Sequence, residues 1–482
     1  MQARPPRPQV PAPSRPAATA AFARPAGRRR VAAPRALVAV LLGSLAVKLV
    51  LWVGFLASAD PALLLQGDSR EYHDSARALL ETGRFAVSPR LPFVPQTFRT
   101  PGYPTFLAAV YGVVGARAAA ALLVQIVLSV ATLSLVYLLV RRRWGARVAL
   151  AATVFLALDV GSLLLSLVLL TETLFTLLLV AALACGAAVL TRPDRRRWAL
   201  GMGIALAACV LVRPVAYYLV APVALGLGVH GRRARWGARE TARVLALLLV
   251  PYCAAVGGWR YRNYRVTGSS AFTRVDATVL LFYRGAAIVA RRDGIGLEEA
   301  RARLRAEFGG APGDPVAATD PGRWRREGIA LIRRNPGIYA RIVASGVLQS
   351  LLRPAGVRIG SADAPEPAWT EEARRAGPLR GVAARLGRRG PLYAATFLFD
   401  ALLVVATTGA AAYAVARLAA ARRLTVVDVF LLGVALYLLL VQAGATSDAR
   451  GRVPVEPVLA LYAARGLVEL GARPRPSRPA RA

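Results

Sequence analysis

Apolar runs long enough to cross a bilayer recur through this chain, and no other feature constrains its fold as strongly. They fall near 36–58, 118–140, 148–166, 172–190, 199–212, 215–229, 242–259, 391–416, 425–443 and 454–470. A helix needs about 20 apolar residues to span the hydrocarbon core, and there it satisfies all of its own backbone polar groups. The stretch 148–190 is about twice one crossing, so it must fold back, and Asp159, Thr171 and Glu172 mark the turn. Arg213-Pro214 divides 199–229 in the same way. Soluble domains run at about 45–50% apolar residues, whereas this chain has 56%. Intrinsic disorder requires the opposite bias, few aliphatic residues. The reading is an all-α polytopic membrane protein of about ten transmembrane helices.

Charge orients the bundle. Lys and Arg number 63 against 26 acids, a formal net charge of +37. Such basicity alone would suggest a nucleic-acid partner, but here the arginines are interleaved with spanning runs, so no nucleic acid is expected. The segments 1–35, 141–147, 191–198, 231–243, 417–423 and 465–482 carry 29 Arg and three acids. The alternate segments 59–117, 158–173, 213 and 446–456 carry nine of each. The positive-inside rule then places both termini in the cytoplasm. The expected organisation is a disordered cationic tail (1–35), an N-terminal membrane module (36–259) with an outer loop at 59–117, an extracytoplasmic segment (260–390), C-terminal spans (391–470) and a second cytoplasmic tail (471–482). The 24 Arg of 260–390 do not oppose this, because long loops largely escape the rule. Within that segment, 323–352 mixes Arg with apolar residues at helical spacing, the pattern of an amphipathic helix on the membrane surface, and 353–390 reads as a loop. Lys48, the only lysine, falls near the middle of the first span, where a cation needs a partner inside the bundle. Three cysteines (Cys185, Cys209, Cys253) and two histidines (His73, His230) leave little basis for a thiolate or histidine metal centre, and no metal or cofactor is expected.

The polar residues with chemical potential cluster at the outer ends of the spans. The first outer loop reads Gly67-Asp68-Ser69-Arg70-Glu71-Tyr72, then Gly83, Phe85 and Phe98-Arg99-Thr100-Pro101-Gly102-Tyr103-Pro104. Asp68 and Tyr72, four apart, would share one face of a short helix. Taken alone this is equally a solvated loop whose aspartate caps a helix.

The order of these elements resembles the first outer loop of GT-C glycosyltransferases, of the type that includes the protein O-mannosyltransferases and the lipid A aminoarabinose transferase (glycosyltransferase 39-type). Three further places are similar to that family. Leu170-Thr171-Glu172-Thr173-Leu174-Phe175 resembles its second outer loop, and Trp259-Arg260-Tyr261-Arg262-Asn263-Tyr264 its Trp-x-x-Arg-Asn segment. Ala449-Arg450-Gly451-Arg452-Val453-Pro454 resembles its Arg-aromatic-Arg-x-Pro segment, with Gly451 where an aromatic is usual.

The resemblance implies a GT-C fold with an outward-facing active-site cavity. It also implies transfer of a sugar from a polyprenyl-phosphate donor to an acceptor hydroxyl of a lipid, glycan or protein. A lipid-linked donor accounts for the lack of a nucleotide-binding phosphate loop. Asp68 would be the general base of an inverting displacement, and Arg99, Arg260, Arg262, Arg450 and Arg452 would stabilise the departing phosphate. Tyr72, Tyr103 and Asn263 would contact substrate. Glu172 would orient a hydroxyl, neutralise one of the arginines, or simply sit at a helix N-terminus favoured by the macrodipole. Arg213 is either a snorkelling interface residue or a phosphate contact. A transporter or flippase of a lipid-linked sugar is the alternative, and a non-catalytic membrane subunit is a third reading.

Overall fold

All ten apolar runs form helices, and the polar residues between them end each helix. The computed structural model describes residues 33–58, 65, 68–309, 320–355 and 391–471. The tails expected at 1–35 and 471–482, and the loop expected at 353–390, lie almost wholly outside the described residues. Among the described residues every regular element is helical, apart from one isolated bridge between Ala86 and Pro95.

The N-terminal half runs α1 (Ala33–Ser58), α2 (Asp68–Thr82), α3 (Gly102–Val114), α4 (Ala118–Trp144), α5 (Ala146–Leu158) and α6 (Val160–Leu165). It continues through α7 (Glu172–Thr191), α8 (Arg195–Val212), α9 (Val220–Arg233) and α10 (Ala238–Thr267). Among the described residues six helical stretches are long and apolar enough to cross a membrane: Arg35–Gly54, Ala118–Trp144, Glu172–Thr191, Pro214–Arg233, Ala238–Thr267 and Pro391–Ala420. Val50, Leu225 and Leu402 lie 70–71% exposed on the outside of the bundle. Such a surface needs an apolar solvent, and a multi-pass membrane protein supplies the reason for it.

The run 148–166 is not one straight crossing. Its helix, α5, stops at Leu158, and the Asp159 carboxylate accepts the Ser162 N–H at 2.6 Å to start the short α6. The chain turns through 166–171 and re-enters as α7 at Glu172. Lys48 finds its partner within the bundle, donating to Ser129 Oγ of α4 at 2.8 Å.

The described part of the segment 260–390 is more helical than its sequence suggests. α11 (Val275–Thr278) continues through a π-helical turn at Val279–Gly285 into α12 (Ala286–Asp293), followed by α13 (Leu297–Phe308) and α14 (Pro321–Arg334). Leu281, Phe282, Ala300, Leu304 and Trp324 form a small core of their own. The single surface helix expected over 323–352 is instead two helices, because Pro336 cannot continue α14. The second, α15 (Pro336–Leu352), packs into the bundle rather than along its surface: a methyl at Gly346 would lie 2.5 Å from the Gly444 backbone nitrogen. The C-terminal part comprises α16 (Pro391–Ala420), α17 (Val426–Gln442), the single-turn α18 (Ala449–Arg452) and α19 (Glu456–Gly471).

Candidate active site

α2 begins on Asp68, and its first two turns bring Asp68, Glu71 and Tyr72 to a cluster of arginines from three distant segments. Arg99 Nη2 meets Asp68 Oδ1 at 2.5 Å, and Arg450 Nη1 meets Asp68 Oδ2 at 2.9 Å. Arg99 Nε also donates to Glu71 at 2.7 Å, and its Nη1 to the Tyr72 hydroxyl at 3.4 Å. Arg450 then donates through Nε to Glu172, which is completely buried. Arg213 Nη1 lies 2.8 Å from the same Glu172 oxygen. The result is one connected network, Glu71–Arg99–Asp68–Arg450–Glu172–Arg213, of three carboxylates and three guanidiniums. The Asp68 side chain keeps 32% of its exposure, so the network opens to solvent there.

Charge compensation decides the protonation state. Burial alone would raise the Asp68 carboxyl, but Arg99 and Arg450, each hydrogen-bonded to it, hold it well below the usual carboxylate range. Burial likewise opposes the charge on Arg99 and Arg450, and the neighbouring carboxylates outweigh it and keep both cationic.

The Arg99–Pro104 segment has a local physical account. Gln96 Oε1 accepts the backbone N–H groups of Phe98 and Arg99 at 2.9 and 3.1 Å, fixing the turn that carries Arg99. Thr100 Oγ1 donates to the Val212 carbonyl at 3.1 Å, beside Arg213. Gly102 lies directly on α8, where a methyl would come within 2.7 Å of the Leu211 carbonyl carbon. Tyr103 is buried, donates to Gln125, and meets Tyr72 edge-on with ring centroids 5.1 Å apart. Arg99 and Arg213 are therefore placed relative to each other by backbone contact between α3 and α8.

A second glutamine completes the frame. Gln442, at the end of α17, accepts from Arg213 Nη2 at 3.4 Å and donates to the Gly451 carbonyl at 3.3 Å. Gly451 itself packs against α15, with Ser350 Oγ 3.2 Å from where its Cβ would stand, so any side chain there would press on the Ser350 hydroxyl. Asp448 caps α18 through the Arg450 N–H at 2.9 Å. Neither Gln96 nor Gln442 was singled out in the sequence, although Gln442 is a strongly polar residue closing an otherwise apolar run.

Four expected site residues are held elsewhere. Arg452 is fully buried, paired with Glu456, and donates to the Arg353 carbonyl at 2.9 Å and the Ser350 carbonyl at 3.3 Å. Arg262 donates to the Gln96 and Phe85 carbonyls at 2.8 and 2.6 Å and stacks over Trp259 and Phe85. Asn263 donates to the Ala271 carbonyl at 2.8 Å. Arg260 is exposed and donates to the Ser270 carbonyl at 2.8 Å and toward the Tyr217 hydroxyl at 3.5 Å. These groups brace the interhelical loops against α10 and α15, and none of the four bonds a member of the network.

Residues 98–259 match the family model described as dolichyl-phosphate-mannose-protein mannosyltransferase. No curated protein matches the chain in sequence. Among solved structures, the apo oligosaccharyltransferase of Archaeoglobus fulgidus is 14% identical, aligned over 93% of this chain and 53% of its own, with a TM-score of 0.50. The archaeal oligosaccharyltransferase AglB from the same organism, in complex with an inhibitory peptide and a dolichol-phosphate, is 13% identical over 90% and 50%, with a TM-score of 0.48. ArnT from Cupriavidus metallidurans bound to undecaprenyl phosphate is 17% identical over 89% and 77%, with a TM-score of 0.39. The chain thus spans about half the length of the oligosaccharyltransferase whose fold it shares. The family match over residues 98–259, together with that shared fold, makes the chain similar to the GT-C membrane glycosyltransferases.

Proposed function

We propose that this protein transfers a sugar from a polyprenyl-phosphate donor to an acceptor hydroxyl at the outer face of a bacterial cytoplasmic (inner) membrane, with both termini cytoplasmic. The observation that carries the reading is the double pairing of Asp68 with Arg99 and Arg450. A carboxylate facing solvent and two guanidiniums of fixed geometry are what an in-line displacement at a phosphate-linked anomeric carbon requires. The arginine excess of one set of loops and termini over the other supports the orientation.

The acceptor oxygen attacks the anomeric carbon while its proton passes to Asp68. The bond from that carbon to the phosphate oxygen breaks, and its electron pair leaves with the polyprenyl phosphate. A single displacement of this kind inverts the configuration. Asp68 with both oxygens on arginines is a poor proton acceptor, because its basicity is spent on the guanidiniums. The donor's phosphodiester competes for the same hydrogen-bond donors. As Arg450 and Arg99 turn to the phosphate, Asp68 loses its counter-charges and its proton affinity rises. Donor binding therefore prepares the base. Glu172 holds Arg450 and Arg213 side by side, so that two cations meet the phosphate together.

The test uses purified protein in detergent with a polyprenyl-phosphate sugar and a hydroxyl acceptor, where no sealed compartment exists. Transfer by the wild type is expected, with a loss of about 10²–10⁴-fold in Asp68→Asn, the range for removing a general base. Full activity in that variant would remove Asp68 from the mechanism. No turnover by the wild type with any such donor would favour transport of a lipid-linked sugar instead.

A further inference from the structure

α2 has a second polar face that the Asp68 network does not use. Arg70, His73, Asp74 and Arg77 recur at helical spacing on the side away from the Arg99–Arg450 cluster, and they line a cavity of about 280 Å³ closed by Ser88 and Arg90 of the following loop. The loop is fixed over it. Val87 N–H donates to the Val94 carbonyl at 2.9 Å, Gln96 N–H to the Phe85 carbonyl at 3.1 Å, and Arg90 N–H to Ser88 Oγ at 3.1 Å.

The donors around this cavity outnumber the acceptors. Arg77 is paired with Glu81 at 2.7 Å, and Arg70 uses only its Nε, on the Leu65 carbonyl at 3.3 Å. Among the described residues the Arg90 guanidinium has no hydrogen-bonding or ionic partner. With Arg77 balanced by Glu81, Arg70 and Arg90 face a single carboxylate, Asp74. His73 forms the buried floor. Its Nδ1 is 2.8 Å from the Tyr111 hydroxyl, and burial holds the ring neutral by pushing its pKa below the usual histidine value. If Tyr111 donates to Nδ1, then Nε2 carries the proton and is a further donor. A half-open space lined by cationic N–H groups binds oxyanions.

We infer that this cavity is a second anion site, distinct from the Asp68 network, which takes the phosphate group of a lipid headgroup or of a soluble phosphate at the outer membrane surface. Leu65 at its rim stands seven residues past Ser58, where the membrane-crossing α1 ends, which puts the site close to the headgroups. It needs no assumption about the reaction: a chain that failed to transfer sugar could still bind phosphate here.

The chain contains only two histidines, so ¹⁵N-histidine NMR of the full-length protein reads the site directly, with His230 as an internal reference. In neutral detergent, inorganic phosphate is expected to move the His73 ring resonances and leave those of His230 in place. In nanodiscs free of added phosphate, phosphatidylglycerol should produce the same change relative to a phosphate-free glycolipid if the ligand is a headgroup. A response to soluble phosphate alone would identify the soluble source. The double variant R70A/R90A, altered only at exposed side chains, should keep the resting His73 spectrum and weaken the response at least tenfold. No His73 response to either probe, or an undiminished response in R70A/R90A, overturns the proposal.

Discussion

Asp68 and Glu172 each face two guanidiniums, and they share one of them, Arg450. That sharing makes the two carboxylates unequal. Glu172 is fully buried and its arginines are what keeps an ionised group there tolerable, since an unpaired buried charge costs several kcal/mol, about 3–5 when one partner is removed. Asp68 is partly open and can exchange a guanidinium for another ligand without being stranded. A pH prediction follows from this asymmetry. In the free protein the Asp68 carboxyl lies well below the ordinary range, so it is ionised at every working pH and loses its charge only in strong acid. If the donor phosphate draws the arginines away, the same group titrates at higher pH in the complex. The acid limb of kcat, which reports the enzyme–substrate complex, is then expected at higher pH than the acid limb of kcat/KM, which reports the free enzyme. Coincident limbs would mean that the arginines never leave Asp68. Asp68, Tyr72, Arg99, Glu172 and Arg450 were legible as candidates because their segments resemble those of the GT-C enzymes. Their connectivity was not, because Asp68 and Arg450 are separated by nearly the whole chain.

Elements position these side chains by close backbone approach. α3 can set Arg99 against Arg213 only because residue 102 has no side chain. Gly102→Ala places a carbon 2.7 Å from the Leu211 carbonyl carbon, closer than any real contact, and α3 must move off α8. Overpacking of this kind costs about 1–3 kcal/mol. Thermal unfolding in detergent should therefore show a lower Tm for Gly102→Ala, with transfer activity reduced even well below that Tm. A Tm and activity equal to wild type would show that the α3–α8 contact does not position Arg99. The Trp259–Asn263 segment teaches the complementary lesson. Its residue types suggested substrate contacts, yet α10 continues to Thr267 and turns Arg262 and Asn263 onto carbonyls at 85, 96 and 271. A donor side chain at a helix end is equally suited to phosphate and to peptide carbonyls. Only the fold decides which it reaches. The same holds for Arg452, whose neighbour Arg450 is two residues away but points into a different environment.

At the scale of the molecule, charge and apolar surface together set the topology. Single cysteines introduced into a background with Cys185, Cys209 and Cys253 replaced by Ser test it in intact cells. A cysteine at Arg84, in the outer loop, should react with a membrane-impermeant maleimide, whereas one at Arg142, in the arginine cluster ending α4, should react only after lysis. The reverse pattern would invert the bundle and separate Asp68 from any outer-face chemistry. The sequence by itself determined that the chain is helical and membrane-embedded, because the length and apolarity of its runs leave no other way to satisfy the backbone in lipid. It also determined which polar residues gather at the ends of the spans, since the bilayer excludes them from the middle. Only the tertiary structure decided which arginines join Asp68 and Glu172, and which backbone carbonyls Arg262, Asn263 and Arg452 reach. It alone also revealed the second basic face of α2. Those outcomes depend on contacts between segments far apart in the chain, where an ångström of helix approach determines the partner of each charge.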